Sequence, residues 1–422
     1  MKKIFLFMGL LLCISSIQAQ KKDYFKLANF DESKVPAYTL PNPLMCQDGE
    51  IVTTKEEWEQ KRRPELVKML TTYMYGTTPV LKKPLSYTID NVDKKALKGR
   101  ATRKEVSIRL TDDERGSVIH LQMYLPNNVK GMIPVFLGIS FTPNYTIYDD
   151  PDLKVSEQEN NSQIKVMPRG AMASSWQLDK ILEHGYGLAT FCYTEVEPDK
   201  DVDFQQGLHT FFYRKGQTYP DPDQWGSIAA WAWSMSRAMD YLEKDDQVDA
   251  KRVAVVGHSR LGKTTLWAGA IDQRFAIVFP VNSGCCGSAI SRRCFGETIE
   301  AVNANFPHWY CGNFKQFSGR EKYMPFDQHE VVALIAPRPI YIASAQEDNW
   351  SDQKGEFLGG KGAEPVYALY GEKGIGIDSI PPVDVPYMDG YIAYHIRKGP
   401  HAVLSYDWDQ FLKFADRFFK AK

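Results

Sequence analysis

Cysteine is scarce in this chain, with seven among 422 residues, and no pair has the Cys-x-x-Cys spacing that a second pair downstream would complete into a zinc site. A structural zinc module is therefore not expected. An excess of one charge is missing too. With 51 basic and 52 acidic residues and a formal net charge of -1, no global field favours nucleic acid or an anionic membrane. Repeats and low-complexity tracts are absent, and the apolar run from Ile4 to Ile14 is too short to span a bilayer comfortably. What remains is ordinary globular composition, 43% hydrophobic and 24% charged. The expectation is one large domain, monomeric, whose recognition is local.

The N-terminus reads Met1-Lys2-Lys3, an apolar segment, then small and polar residues to Ala19, the three parts of a secretory signal peptide. Residues 1–19 are expected to be removed, leaving a periplasmic or secreted protein with no membrane attachment. Cys13 raises a lipoprotein alternative, against which stands the bulky Leu12 before it. The cysteines that remain enter a compartment that permits disulfides. Cys285, Cys286, Cys294 and Cys311 cluster in sequence, and either buried thiols or one bridge fits them.

Residues 20–100 carry few periodic signals beyond a helix from Glu56 to about Tyr75 and read as an extension wrapping the core. Residues 101–422 read as the main domain. Alternation at Arg103–Leu110 and Val118–Leu125 predicts two antiparallel strands, and the apolar runs Ile133–Ile139 and Tyr186–Tyr193 predict buried ones. Irregular stretches at 141–177 and 195–224 are too long for simple connections and read as insertions. Ile228, Trp231, Ala232, Met235, Met239 and Leu242 follow helical spacing. Strands at Val253–Val256 and Ile340–Ala343 and helices at Thr264–Ala270 and Trp408–Phe419 complete an α/β pattern.

The segment Gly257-His258-Ser259-Arg260-Leu261-Gly262-Lys263-Thr264 lies between an apolar strand and a helix. Such a turn can hold a serine on strained backbone and project its hydroxyl, with the following helix N-terminus stabilising an oxyanion. Its glycines are spaced Gly-x-Ser-x-x-Gly, one residue longer than the usual nucleophile motif. The segment also fits a phosphate-binding loop in full. An exported protein has little access to ATP, and such a loop usually opens its domain rather than following some 250 residues of chain. A serine nucleophile needs an acid and a histidine later in the chain. His401, in Gly399-Pro400-His401, is the candidate base, with His395 as competitor. Glu347 and Asp348, on the loop after Ile340–Ala343, are the candidate acids, and Asp348 is preferred.

Together with Trp267-Ala268-Gly269-Ala270, Asn282-Ser283-Gly284, Arg292-Arg293, Gly296-Glu297, Asn305-Phe306-Pro307-His308-Trp309 and Glu347-Asp348 with Trp350, this segment resembles the glucuronoyl esterases of carbohydrate esterase family fifteen, over roughly Ile133 to the end. The resemblance implies an α/β-hydrolase fold, a three-layer sandwich around a mostly parallel sheet. It also implies a cofactor-free, metal-free serine esterase acting on 4-O-methyl-glucuronoyl esters that link xylan side chains to lignin alcohols. Ser259 would be the nucleophile, His401 its base, Asp348 the third member and Arg260 the oxyanion stabiliser. Lys263, Glu297, Trp350 and Trp309 would contact the sugar of a glucuronoxylan or lignin-carbohydrate ester. One departure stands out: some members carry the acid where this chain has Asn282. An acetyl-xylan esterase of the same fold and a lapsed carbohydrate-binding protein are the alternatives.

Overall fold

The computed structural model describes residues 24–81, 85–153, 167–201 and 204–420; the expected signal peptide lies outside them. Nine strands form one sheet in the order β1-β2-β3-β5-β4-β6-β7-β8-β9. β1 (Tyr87–Lys95), β2 (Ala101–Arg109) and β3 (Val118–Pro126) run antiparallel, and β3 pairs antiparallel with β5 (Gly187–Cys192). From there β5, β4 (Ile133–Ser140), β6 (Val248–His258), β7 (Ile277–Val281), β8 (Ile340–Ala345) and β9 (Ile392–Arg397) are parallel.

The parallel strands are buried on both sides, which is why they read as continuous apolar runs. Alternate residues still part company. Val253 and Val255 of β6 and Ile340 and Ile342 of β8 join one core, while Ala254, Val256, Tyr341 and Ala343 join the other. Helices Ser227–Leu242, Arg260–Ile271 and Gln353–Leu369 cover the first face, and Leu178–Glu183 and Ser405–Phe419 the second. The fold is therefore the expected α/β-hydrolase sandwich.

A helical stretch over Lys55–Tyr75 matches the expected one. It opens on a capping box of Thr54 and Glu57 and stops at Gly76, whose φ of 80° an L side chain rarely adopts. Within residues 20–100, β1 is an edge strand added to the sheet. Nothing in the sequence marked it, because it is solvated on nearly every position. All six cysteines among the described residues are free thiols, so the cluster at 285–311 holds no bridge.

Candidate active site

The carboxyl ends of the parallel strands deliver the site, where ligands of open α/β sheets bind. β6 ends at His258 and the helix Arg260–Ile271 begins immediately, with Ser259 between them at φ 60° and ψ -128°. This is strained backbone for a serine, and the surroundings enforce it. A Cβ on Gly257 would meet the Leu261 carbonyl oxygen at 2.2 Å, and one on Gly262 would crowd the Val281 and Gly257 carbonyl oxygens at 3.0 and 3.1 Å. The long glycine spacing is thus a steric requirement of this elbow. The Ser259 N–H donates to Val281 O of β7 at 2.9 Å, tying the bend to the sheet. The Arg260 amide, first in the helix, has no carbonyl one turn back to bond.

His401 follows β9 on a turn made possible by Gly399 at φ 100°. Its Nδ1 lies 2.5 Å from Asp348 Oδ2 on the loop after β8. Asp348 is buried, while Glu347 beside it is exposed. Burial pushes the Asp348 carboxyl up, but the hydrogen bond and charge of His401 outweigh it and hold the group below its ordinary value. Asn282, at φ 45° after β7, donates its Nδ2 to the same Asp348 Oδ2 at 3.1 Å. His395 is elsewhere engaged: buried in β9, it sits between Tyr341 Oη at 3.0 Å and Asp407 Oδ1 at 2.9 Å. The His401 ring stands 4.4 Å, centroid to centroid, from His258. The geometry joins His401 to Asp348 and not to Ser259 Oγ, and a nucleophile–base hydrogen bond can tighten when substrate binds. A cavity of about 210 Å³ opens beside the two histidines, walled by Phe141, Met172, Trp176 and Trp408.

Arg260 lies over the rings of Phe141, Phe306 and Trp309 at 5.7, 5.5 and 5.0 Å. Its Nη1 donates to Asp199 Oδ2. Asp199 also takes Tyr193 Oη at 2.9 Å, Trp309 Nε1 at 2.8 Å and His308 Nε2 at 3.1 Å. Burial raises the Asp199 carboxyl, and these donors together with the Arg260 charge bring it well below the usual range. Asp199 belongs to the second irregular stretch, where it reads as one more solvated acid among Glu195, Glu197 and Asp201.

Lys263 is buried, with its ammonium donating to Ser283 O at 2.8 Å, Cys285 O at 2.6 Å and Glu297 Oε2 at 3.0 Å. Burial lowers its basicity, and the Glu297 charge more than restores it. A lysine so bound has no phosphate-loop geometry. Trp309 is 3% exposed, stacked at 3.9 Å on Phe306 and overlain by Arg260 at 5.0 Å. Trp350 remains partly exposed at the rim, and its carbonyl accepts the Glu297 N–H at 2.9 Å. A further carboxyl missed from sequence, Glu356, lies fully buried beneath the site. It takes hydrogen bonds from Ser283, Gly284, Ser288 and Ser344, and burial pushes it up to about 7.

Among the described residues no cluster of acidic, histidine or cysteine side chains could hold a metal ion, and no helix is long and apolar enough to cross a membrane. A family model described as glucuronyl esterase of fungi matches residues 155–371. Carbohydrate esterase MZ0003, from an unknown prokaryotic organism, is 44% identical over 397 residues, covering 92% of this chain and 91% of its own. A solved glucuronoyl esterase from Solibacter usitatus is 47% identical with a TM-score of 0.88, covering 92% of this chain and 100% of its own. A promiscuous CE15 esterase from a marine bacterial metagenome is 43% identical with a TM-score of 0.85, over 92% and 99% of the two chains. The 4-O-methyl-glucuronoyl methylesterase 1 of Phanerochaete chrysosporium is more distant, 26% identical over 75% of this chain and 60% of its own. With the sheet, the strained serine and these relatives in hand, the chain belongs to the glucuronoyl esterase family, carbohydrate esterase family fifteen, and is a carboxylic ester hydrolase.

Proposed function

We propose that this esterase hydrolyses 4-O-methyl-glucuronoyl esters of plant cell-wall xylan, those to lignin alcohols included, through a Ser259–His401–Asp348 acyl-enzyme mechanism. The observation that carries it is the His401–Asp348 pair at 2.5 Å, with the His401 ring 4.4 Å from that of His258, which precedes a serine on a strained elbow. Ser259 Oγ attacks the ester carbonyl carbon while His401 Nε2 accepts the hydroxyl proton. Asp348 remains a carboxylate, fixing the ring so that Nε2 faces the serine and stabilising the imidazolium that forms. The tetrahedral oxyanion is met by the Arg260 amide at the helix N-terminus and by its guanidinium. As the carbonyl reforms, the C–O bond to the alcohol breaks and His401 returns the proton to that oxygen. The neighbouring cavity leaves room for the departing group. Water then attacks the acyl-enzyme with His401 again as base, releasing the uronate and restoring Ser259.

Lys263 and Glu297 contribute to sugar recognition by exchanging part of their mutual hydrogen bonding for hydroxyl groups of the uronate, with Trp350 alongside. The leader at residues 1–19 supports export to the periplasm or beyond, where such a polymer is met; N-terminal sequencing of the mature protein from an expressing cell tests it. The activity is tested with a benzyl ester of glucuronic acid and an aryl acetate, each given to wild type and Ser259→Ala. Uronate-ester turnover abolished in the variant supports the reading. Turnover of the acetate alone replaces it with an acetyl esterase, and Ser259→Ala at wild-type rate overturns the mechanism.

A further inference from the structure

The turn that carries His401 has no regular structure of its own. Residues 398–402 belong to no helix or strand, and the His401 side chain is 35% exposed. Loops are the most mobile parts of a fold, yet a base has to keep its geometry to within about 0.5 Å to serve both proton transfers. The support comes from the strand that precedes the turn. Arg397, the last residue of β9, is 1% exposed, and burying a guanidinium is costly unless its donors find partners. Its Nε donates to Asp407 Oδ1 at 3.0 Å and Oδ2 at 2.8 Å. Nη1 donates to Lys398 O at 2.9 Å and Pro400 O at 3.3 Å, and Nη2 to Pro400 O at 3.3 Å and to Ala402 O. One planar cation thus holds the carbonyls of the residues before and after His401.

Asp407 fixes the cation in turn. It is 1% exposed in the first turn of the helix Ser405–Phe419, accepts the Leu404 N–H at 2.7 Å and lies 2.9 Å from His395 Nε2. Burial raises its carboxyl, and the His395 hydrogen bond with the charges of His395 and Arg397 more than reverses this, so Arg397 faces a carboxylate. The loop of the triad acid is tied to the same turn. The Gln346 N–H donates to Arg397 O at 2.7 Å and the Glu347 N–H to Gly399 O at 3.2 Å, in the two residues before Asp348.

Resting on the reading of His401 as the base, we infer that Arg397, anchored by Asp407, is a positioning residue for the reaction: it sets where the imidazole stands relative to the nucleophile and the leaving oxygen. Arg397 is enclosed beneath the turn, so it acts through the backbone of residues 398–402. Neutralising Asp407 would need only a positive charge. Spanning a carboxylate and three loop carbonyls needs the rigid fork of a guanidinium, which the single ammonium of a lysine cannot reproduce.

The test is Arg397→Lys, which keeps the charge opposite Asp407, assayed on the benzyl ester of glucuronic acid in the wild-type background and in His401→Ala. In the wild-type background kcat is expected to fall about 10- to 100-fold with KM kept. Residues that act as a unit are not additive, so in His401→Ala the same substitution should lower the residual rate less than about twofold. A merely structural role would loosen the site in both backgrounds. Equal fractional losses in the two, or a wild-type kcat in Arg397→Lys, overturn the positioning role. His401→Ala at wild-type rate overturns the base reading itself, and the positioning role with it. Where Arg397→Lys does not yield folded protein, Asp407→Asn, which leaves Arg397 its carbonyl acceptors and removes the opposite charge, is carried through the same pair of backgrounds: a kcat loss confined to the one with the imidazole supports the role, and equal losses overturn it.

Discussion

Asp199 carries Arg260: the carboxylate that grips the guanidinium also collects Tyr193, His308 and Trp309. An arginine on the first position of a helix has a long side chain with many rotamers, and its usefulness to an oxyanion depends on where its charge is held. Asp199 fixes one edge of the guanidinium while aromatic rings floor it. Asp199→Asn retains hydrogen-bonding shape and removes the charge. Its kcat on the benzyl uronate ester is expected to fall about 10- to 100-fold with KM little changed. Asp199→Ala adds a fall in thermal stability, since four donors lose one acceptor. Steady-state kinetics with melting curves separates the two effects; a rise in KM at constant kcat would remove the positioning role.

Much of this site was legible because the elements around it obey simple rules. The apolar runs of β4, β5 and β8 are two-sided burial written in sequence, and Gly257 and Gly262 announce the turn at Ser259. His401 and Asp348 follow from strand order. Asp199 and Glu356 were not legible, for a common reason. A carboxylate's importance lies in what surrounds it, and neither an irregular loop nor a helix position reveals that its acid is buried. The surroundings of Trp309 were not legible either: an indole beside a site reads alike in sequence whether it is open or, as here, stacks on Phe306.

The preference for Asp348 over Glu347 has a direct consequence. Asp348→Asn keeps a hydrogen-bonding partner for His401 but favours the wrong tautomer, and kcat should fall about 10⁴-fold. Glu347→Gln, on an exposed side chain, should change kcat less than twofold. The reverse pattern in parallel assays would move the acid to Glu347.

Asn282 offers a finer probe, since its Nδ2 donates to the Asp348 oxygen that meets His401. Asn282→Asp sets a second carboxylate within hydrogen-bonding reach, and two such groups cannot both ionise easily. The Asp348 carboxyl, now below its ordinary value, should rise. The acid limb of the kcat/KM profile should therefore move to higher pH. An unshifted limb would mean that the new carboxylate turns away or that Asp348 does not govern the limb.

Lys263 and Glu297 form a buried ion pair at 3.0 Å, so removing either takes a buried opposite charge from the other. Lys263→Met should destabilise the fold by about 3–5 kcal/mol, and Glu297→Gln should cost less because the amide oxygen can still accept. Urea denaturation with unchanged m-values checks this. If Lys263→Met left stability unchanged, the pair would owe its burial to recognition alone.

His258 is expected to contribute to the acid sensitivity of the fold. Burial, and then the charge of His401, lower its pKa from about 6.5 to about 3, and its Nε2 is enclosed without a partner. In the unfolded chain the same imidazole binds a proton near pH 6.5, so between about 6.5 and 3 the unfolded state holds more protons than the native one. Stability contributed by this group is complete above pH 6.5 and declines as pH falls through that window, at up to about 1.4 kcal/mol per pH unit. His258→Asn abolishes the titration while keeping a polar side chain beside Phe141 and His401. Denaturant midpoints measured from pH 7 to pH 4 should fall less steeply in the variant than in wild type. Parallel slopes would assign the acid lability to the carboxylates, Asp348 and Asp407 first among them, whose depressed pKa values act with the same sign at lower pH.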